Sequence, residues 1–208
     1  MATIQAALTP ATNTAPAVAN IPAKELSGAQ WVGRFPGSAS VEDCAAPFKA
    51  ALTSFIAALH AAGATVNVAA TYRPVERAYL MHWSWEIVNA DVDPKTIPSM
   101  AGVNINWDHG DNAKSVQAAQ AMINGFGMQN LNVSPALASK HIDREAVDMS
   151  ISWTGDLAIK NADGTSTTIK SDPKTGMNAD LKTVGATYGV MKFVGGDHDK
   201  PHWSSNGH

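Results

Sequence analysis

The spacing of apolar positions changes from one segment of the chain to the next, and it predicts the elements. Phe48, Leu52, Phe55, Ile56 and Leu59 recur at helical intervals and share one face. Ser40, with Asp43 three residues on, is the expected N-cap of that helix. Cys44 reads as one of its small residues and Gly63 as its end. The β-branched run TVNVAAT, 65–71, predicts a buried strand. Pro74 suits the first turn of a second helix, which continues through ERAYLMHWSWEIVN to about Asn89. A loop with Pro94 and Pro98 follows. Asp111 or Asn112 then caps a third helix, with Val116, Ala119, Met122, Ile123 and Phe126 inward and Gly125 and Gly127 at its end. The stretch 146–153, AVDMSISW, alternates as a half-buried strand. Residues 157–170 read as a hairpin turning at Asn161–Gly164, followed by a short helix near 178–188 and a strand near 190–194. Helices and strands mix without a regular βαβ alternation, so the predicted class is α+β.

A chain of 208 residues with 45% apolar and 16% charged residues has the composition of a globular protein able to bury a core without staples. No run approaches the roughly 18 apolar residues of a membrane helix, so no membrane insertion is expected. A net charge of −3 gives no attraction to phosphate backbones, which argues against nucleic acid as a partner. The single cysteine excludes an internal disulfide framework and any multi-thiolate zinc site. Residues 1–23 are rich in Ala, Thr, Pro and Asn without periodicity and read as a flexible lead; 24–208 read as one domain. The lead lacks a basic region and a continuous apolar stretch, so the expectation is cytoplasmic synthesis without a standard signal peptide.

The candidate chemistry lies in three places. On the strand 146–153, Val147, Met149 and Ile151 share one face and Asp148 and Ser150 the other. With the apolar face in the core, Asp148 faces a cleft, where an acid needs a partner or a metal. His141 stands seven residues earlier, in the loop leading in, within reach of the same point. The segment Asp197-His198-Asp199-Lys200-Pro201-His202-Trp203 adds a second histidine. Two histidines and a carboxylate form a common catalytic zinc set with a position left open for water. Asp199 is a candidate to take the proton of that water, and Arg73, after the strand 65–71, a candidate to stabilise an oxyanion. Each also has an ordinary structural reading: His-x6-Asp and Asp-x-x-His recur in surface loops, and an arginine after a strand often closes a salt bridge. Trp83 and Trp85 read as core or helix surface. His60, His82 and His109 read as structural or exposed, and His208 as a free terminus.

In order, Tyr72-Arg73-Pro74, Ser139-x-His141-x6-Asp148 and Asp199-x-Pro201-His202-Trp203 resemble the zinc D-Ala-D-Ala metallopeptidase family. That family includes D-Ala-D-Ala dipeptidases, D,D-carboxypeptidases and phage L-alanyl-D-glutamate endopeptidases, and shares its metal site with lysostaphin-type peptidases and hedgehog domains. The resemblance implies a small central antiparallel sheet with helices packed on it. It implies one Zn2+ held by His141, Asp148 and His202, Asp199 as general base, and Arg73 as the group that binds and polarises the substrate carbonyl. Ser139, Trp203 and Tyr72 match positions implied to contact substrate or support the ligands. The implied substrate is a peptidoglycan stem peptide, reached after release through a holin or delivery by a secretion apparatus, with action at the cell wall in the periplasm. Two features depart from the family pattern. Arg144 stands where a glycine is usual. The acid is Asp199, as in the endopeptidases, while Tyr72-Arg73-Pro74 is closer to the dipeptidases. Alternatives are the same chemistry on a D,D-carboxypeptidase bond, a non-catalytic zinc module, and a non-haem iron site, since this donor set also suits Fe(II).

Overall fold

The computed structural model describes residues 23–208. The lead read at 1–23 therefore lies, apart from Ala23, outside the described residues. In chain order the elements are β1 (Glu25–Leu26), α1 (Ala46–Ala61), β2 (Thr65–Ala70), α2 (Val75–Asn89), β3 (Ile105–Asn106), α3 (Asn112–Phe126), β4 (Ala146–Ser152), β5 (Leu157–Lys160), β6 (Ser166–Ile169), α4 (Ala179–Thr187), β7 (Met191–Lys192) and β8 (His202–Ser204). The α+β class is as the sequence predicts. The central sheet is antiparallel, with strand order β2-β4-β8-β7, while β1 and β3 form a separate short parallel pair. None of the helices among the described residues is long and apolar enough to cross a membrane.

Alternation on β4 sets the layering. Val147, Met149 and Ile151 enter the core with Phe48, Leu52, Phe55 and Leu59 of α1 and Leu181 and Val184 of α4. The other face of the strand carries the half-buried Asp148 and the exposed Ser150. Gly185 lets α4 approach β8 closely. A Cβ there would sit 2.8 Å from the Trp203 ring and 2.8 Å from the Val190 carbonyl, too close for any side chain. A second cluster joins Tyr79, Leu80 and Ile87 of α2 to Ala119 and Met122 of α3, together with Trp31, Ile105 and Trp107.

Two boundaries differ from the sequence expectation, each for a local reason. Ser40 caps only a single 3-10 turn, Val41–Asp43, by accepting the Glu42 N–H. The Ala45 N–H donates to the Arg144 carbonyl at 2.8 Å, which holds the chain extended and delays α1 to Ala46. Cys44 therefore precedes the helix rather than lying in it, although it is buried. The strand near 190–194 is shorter than its apolar run, because the Val194 N–H bonds to the Gly207 carbonyl instead of continuing the ladder with β8. The third helix starts as read: the Asp111 side chain accepts the Lys114 N–H, and Gly127 closes the helix at φ 71°. The hairpin turn at Asn161–Gly164 is also as read, with the Asn161 N–H on the Thr165 carbonyl at 2.8 Å.

Candidate metal centre

Strand pairing assembles the first two donors. Antiparallel register sets Asp148 of β4 directly opposite His202 of β8. On the other side Ala70 of β2 lies opposite Asp148, after an irregularity between Val68 and Ala70 that bends the strand end. His141 enters from the preceding loop. The Ser139 hydroxyl accepts the His141 N–H at 3.1 Å and the Ser139 carbonyl accepts the Ile142 N–H at 2.9 Å, a serine turn that sets the histidine's direction. Ser139 thus acts on the main chain of His141.

His141 Nε2 lies 3.1 Å, and His202 Nδ1 3.2 Å, from the same Asp148 oxygen, Oδ1. One donor atom from each of the three residues lies within 4.8 Å of the others, and this is the one such group among the described residues. His141 and His202 are almost fully buried, with side chains 3% and 7% exposed, whereas Asp148 is 19% exposed on the open side. The outer nitrogen of each ring is already engaged: His141 Nδ1 with the Thr71 carbonyl at 3.1 Å, and His202 Nε2 with the His208 carbonyl at 3.2 Å. Each carbonyl can only accept, so each outer nitrogen carries the hydrogen and each neutral ring turns a lone pair inward. Two imidazole lone pairs and a carboxylate oxygen then converge on one point. A divalent cation meets that demand, and histidine ligands anchored through their second nitrogen are how such sites are oriented. The cluster can therefore hold a metal ion.

Without a cation, protons mediate the contact. Burial alone would raise the Asp148 pKa, but the hydrogen bonds from His141 and His202 outweigh it and hold the carboxyl well below the usual range. Burial likewise pushes His202 down, while its hydrogen bond to Asp148 pushes it up and prevails. Asp199 lies at the edge of the cluster, with Oδ2 3.9 Å from His202 Nδ1. Burial, and then the charge of Asp148, raise its pKa. Both effects make Asp199 a better proton acceptor than an ordinary surface aspartate.

Arg73 is tied to the same place by its main chain: its N–H donates to the His141 carbonyl at 3.2 Å. Its half-buried guanidinium has no hydrogen-bond or ion-pair partner among the described residues, so the salt-bridge reading finds no support. Arg144 takes φ 63°, the left-handed conformation for which glycine is the usual residue. The side chain that glycine would lack is used: its guanidinium stacks 3.9 Å from the Tyr72 ring and donates to the Asp43 carbonyl at 3.2 Å. Tyr72 is thus covered on one ring face by Arg144.

Trp203 does not line the cleft. It follows His202 on the strand, so alternation sends it to the opposite face, where it is fully buried against Phe55 with ring centroids 5.6 Å apart. It supports the site from behind and does not reach a substrate. His82 and His109 take structural partners, the Pro135 carbonyl at 2.9 Å and the Ser27 hydroxyl at 3.0 Å. His60 and His198 are exposed, and Trp85 donates to the Leu131 carbonyl at 3.3 Å. Sequence reasoning does not reach three groups around the cluster: the Thr71 carbonyl, the His208 carbonyl and Lys192. Lys192 had a signal, a lone charge in the apolar run Gly189–Val194. No protein-family model, curated protein or solved structure matches the chain.

Proposed function

We propose that this protein is a zinc-dependent peptidoglycan peptidase of the D-Ala-D-Ala metallopeptidase type, with the small-sheet fold of that family and of hedgehog domains. The observation that carries the reading is the convergence of His141, Asp148 and His202, with the outer nitrogens of both histidines locked, beside the acid Asp199, while Arg73, whose guanidinium has no partner among the described residues, is tied to His141 by its main chain. His141 Nε2, Asp148 and His202 Nδ1 would hold the zinc. When bound, zinc supplies a water acidic enough to attack at neutral pH and an electrophile for the scissile carbonyl. Asp199 takes the proton from the attacking water and returns it to the leaving amine. The Arg73 guanidinium binds the carbonyl oxygen of the stem peptide and stabilises its growing negative charge. Ser139 keeps His141 oriented throughout. An acid at position 199 and a free guanidinium at 73 favour an enzyme over a non-catalytic zinc module.

The preferred bond is L-alanyl-D-glutamate, because the acid is aspartate. A D,D-carboxypeptidase or dipeptidase is the second reading, favoured by Arg73, since a guanidinium also recognises a terminal carboxylate. Such an enzyme would act at the cell wall after release or delivery, as an endolysin or an antibacterial effector. Purified sacculi digested with the zinc-loaded protein and resolved by mass spectrometry test the proposal. New L-alanine carboxyl ends support the endopeptidase, and release of D-alanine or its dipeptide supports the second reading. Full activity after exhaustive chelation, or bound iron in place of zinc, sinks the zinc mechanism.

A further inference from the structure

Lys192, on β7, is 7% exposed and has no carboxylate hydrogen-bonded to it among the described residues. A buried ammonium must be paired or fully hydrogen-bonded. Here Nζ donates to the carbonyls of Lys200 at 2.6 Å, His202 at 2.8 Å and Asp199 at 3.4 Å, which uses all three of its hydrogens. The Trp203 ring, 5.3 Å away, closes the remaining side. All three acceptors lie in the four residues from the candidate base to the last candidate ligand. The 3-10 turn that bears the candidate base, Gly196–Asp199, has no side-chain cap and no buried residue, and Gly195 precedes it. Among the described residues, the other polar tie from that turn to the sheet is the 3.9 Å contact of Asp199 with His202.

We propose that Lys192 is a positioning residue, whose ammonium gathers the main-chain carbonyls of residues 199, 200 and 202 and so fixes the Asp199 carboxylate relative to His202. The inference rests on the peptidase reading for its catalytic meaning. It accounts for a lysine in an apolar strand: no neutral side chain of that length offers three donors to one point. Lys192 touches neither donor atoms nor substrate and acts through Asp199.

Lys192→Met keeps length and loses the donors. In the zinc-loaded full chain, kcat on stem peptide should fall about 10- to 100-fold, the scale of a small misplacement of a catalytic group, with KM nearly unchanged and one zinc still bound. In an Asp199→Ala background the same substitution should cost less than about threefold, because the group it positions is gone. An equal loss in both backgrounds overturns the proposal, as does an unchanged kcat in Lys192→Met alone. Hydrogen exchange on the metal-free chain is the second readout. Amides of residues 193–202 should exchange faster in Lys192→Met while those of α3 do not, and equal rates throughout overturn the clamp. If the unsubstituted protein cleaves no stem peptide, the peptidase reading falls and exchange alone decides the clamp. If Lys192→Met does not fold, Lys192→Gln carries the same measurements with a smaller expected effect. Loss of the folded state in both variants overturns the proposal, because the lysine would then hold the fold rather than the turn.

Discussion

The segment that delivers His141 is fastened from several directions, whereas the segment ahead of His202 depends largely on one side chain. Upstream, the His141 carbonyl accepts the N–H groups of both Arg73 and Arg144, and the Arg144 carbonyl accepts that of Ala45. Ser139 turns the chain, and Lys140 bridges to Glu145, which also accepts the Ser205 hydroxyl. Downstream, Pro201 and His202 are in the ladder through the N–H groups of Met149 and Phe193, but Gly195–Lys200 is a turn with two glycines at its start. The two flanks serve different needs. A ligand must be held in place before the metal arrives. A candidate base must keep its carboxylate close to the ligands, and the Lys192 ammonium holds the end of the turn that carries Asp199.

The largest test strikes the carboxylate between the flanks. Asp148→Ala removes the atom that both histidines address, so zinc binding and hydrolysis should both be lost, as seen by metal analysis and peptide turnover. Asp199→Ala strikes the downstream flank alone. Zinc should stay bound while turnover falls about 10²- to 10⁴-fold. Asp197 is the control, because it is exposed and its carboxylate, 3.7 Å from Lys200, faces a surface partner. If Asp197→Ala is the inactive variant and Asp199→Ala is not, the base has been assigned to the wrong acid.

A smaller effect comes from protons competing with metal. In the metal-free protein burial pushes His202 down, but its bond to Asp148 raises it above the ordinary 6.5. That contribution to stability is complete below about pH 6.5 and is lost as pH rises through the raised value. Asp148 has the opposite sign: burial raises it, the histidine bonds lower it further, and its contribution is present above the ordinary 3.8 and lost as pH falls through the lowered value. The chelated protein should therefore be most stable in mildly acidic buffer. The drop in Tm on chelation should widen as pH rises through the raised value, because zinc then displaces less proton from His202. A drop that does not change with pH would show that zinc binds elsewhere.

The smallest effect lies on the tightly fastened upstream flank. Arg144→Gly removes a left-handed penalty of about 1–2 kcal/mol but loses a cation–π contact of about 0.5–1 kcal/mol and the hydrogen bond to the Asp43 carbonyl, about 0.5–1.5 kcal/mol, so Tm should stay nearly unchanged. Arg144→Ala keeps the penalty and loses the contact, so it should melt below both. If glycine melted below alanine, the left-handed backbone would carry no penalty at this position; if both melted far below the unsubstituted protein, the Arg144 side chain would be what holds the loop.

The donor atoms were legible because their side chains carry the signal. An aspartate on the polar face of an otherwise uncharged strand, and histidines at motif spacing, stand out against their neighbours. The same alternation that marks Asp148 also assigns Trp203 to the core, one residue after His202 on its strand, so strand parity outweighs the motif there. Arg144 shows the reverse case. The residue type gives no sign of a left-handed backbone, yet Arg144 adopts one, because three main-chain bonds at His141 and Arg144 determine it. The delayed start of α1 was not legible, since it follows from a bond between Ala45 and a residue about a hundred positions away. Lys192 could be noticed but not interpreted, because its partners are main-chain atoms.

That last point extends to both histidines. Their outer nitrogens rest on the carbonyls of Thr71 and His208, groups that every residue type carries. No single amino-acid replacement can delete them, so a substitution scan would return the inner donors and pass over what aims them. The aim can be spoiled only by moving the peptide backbone itself: a one-residue insertion or deletion at the end of β2, a shift of the stretch after β8, or an amide-to-ester exchange after Thr71 that weakens its carbonyl as an acceptor. The aim of the two rings, unlike the donor atoms themselves, is hardened against point mutation and fragile to changes in chain length, and a library built from insertions and deletions would reveal that vulnerability directly.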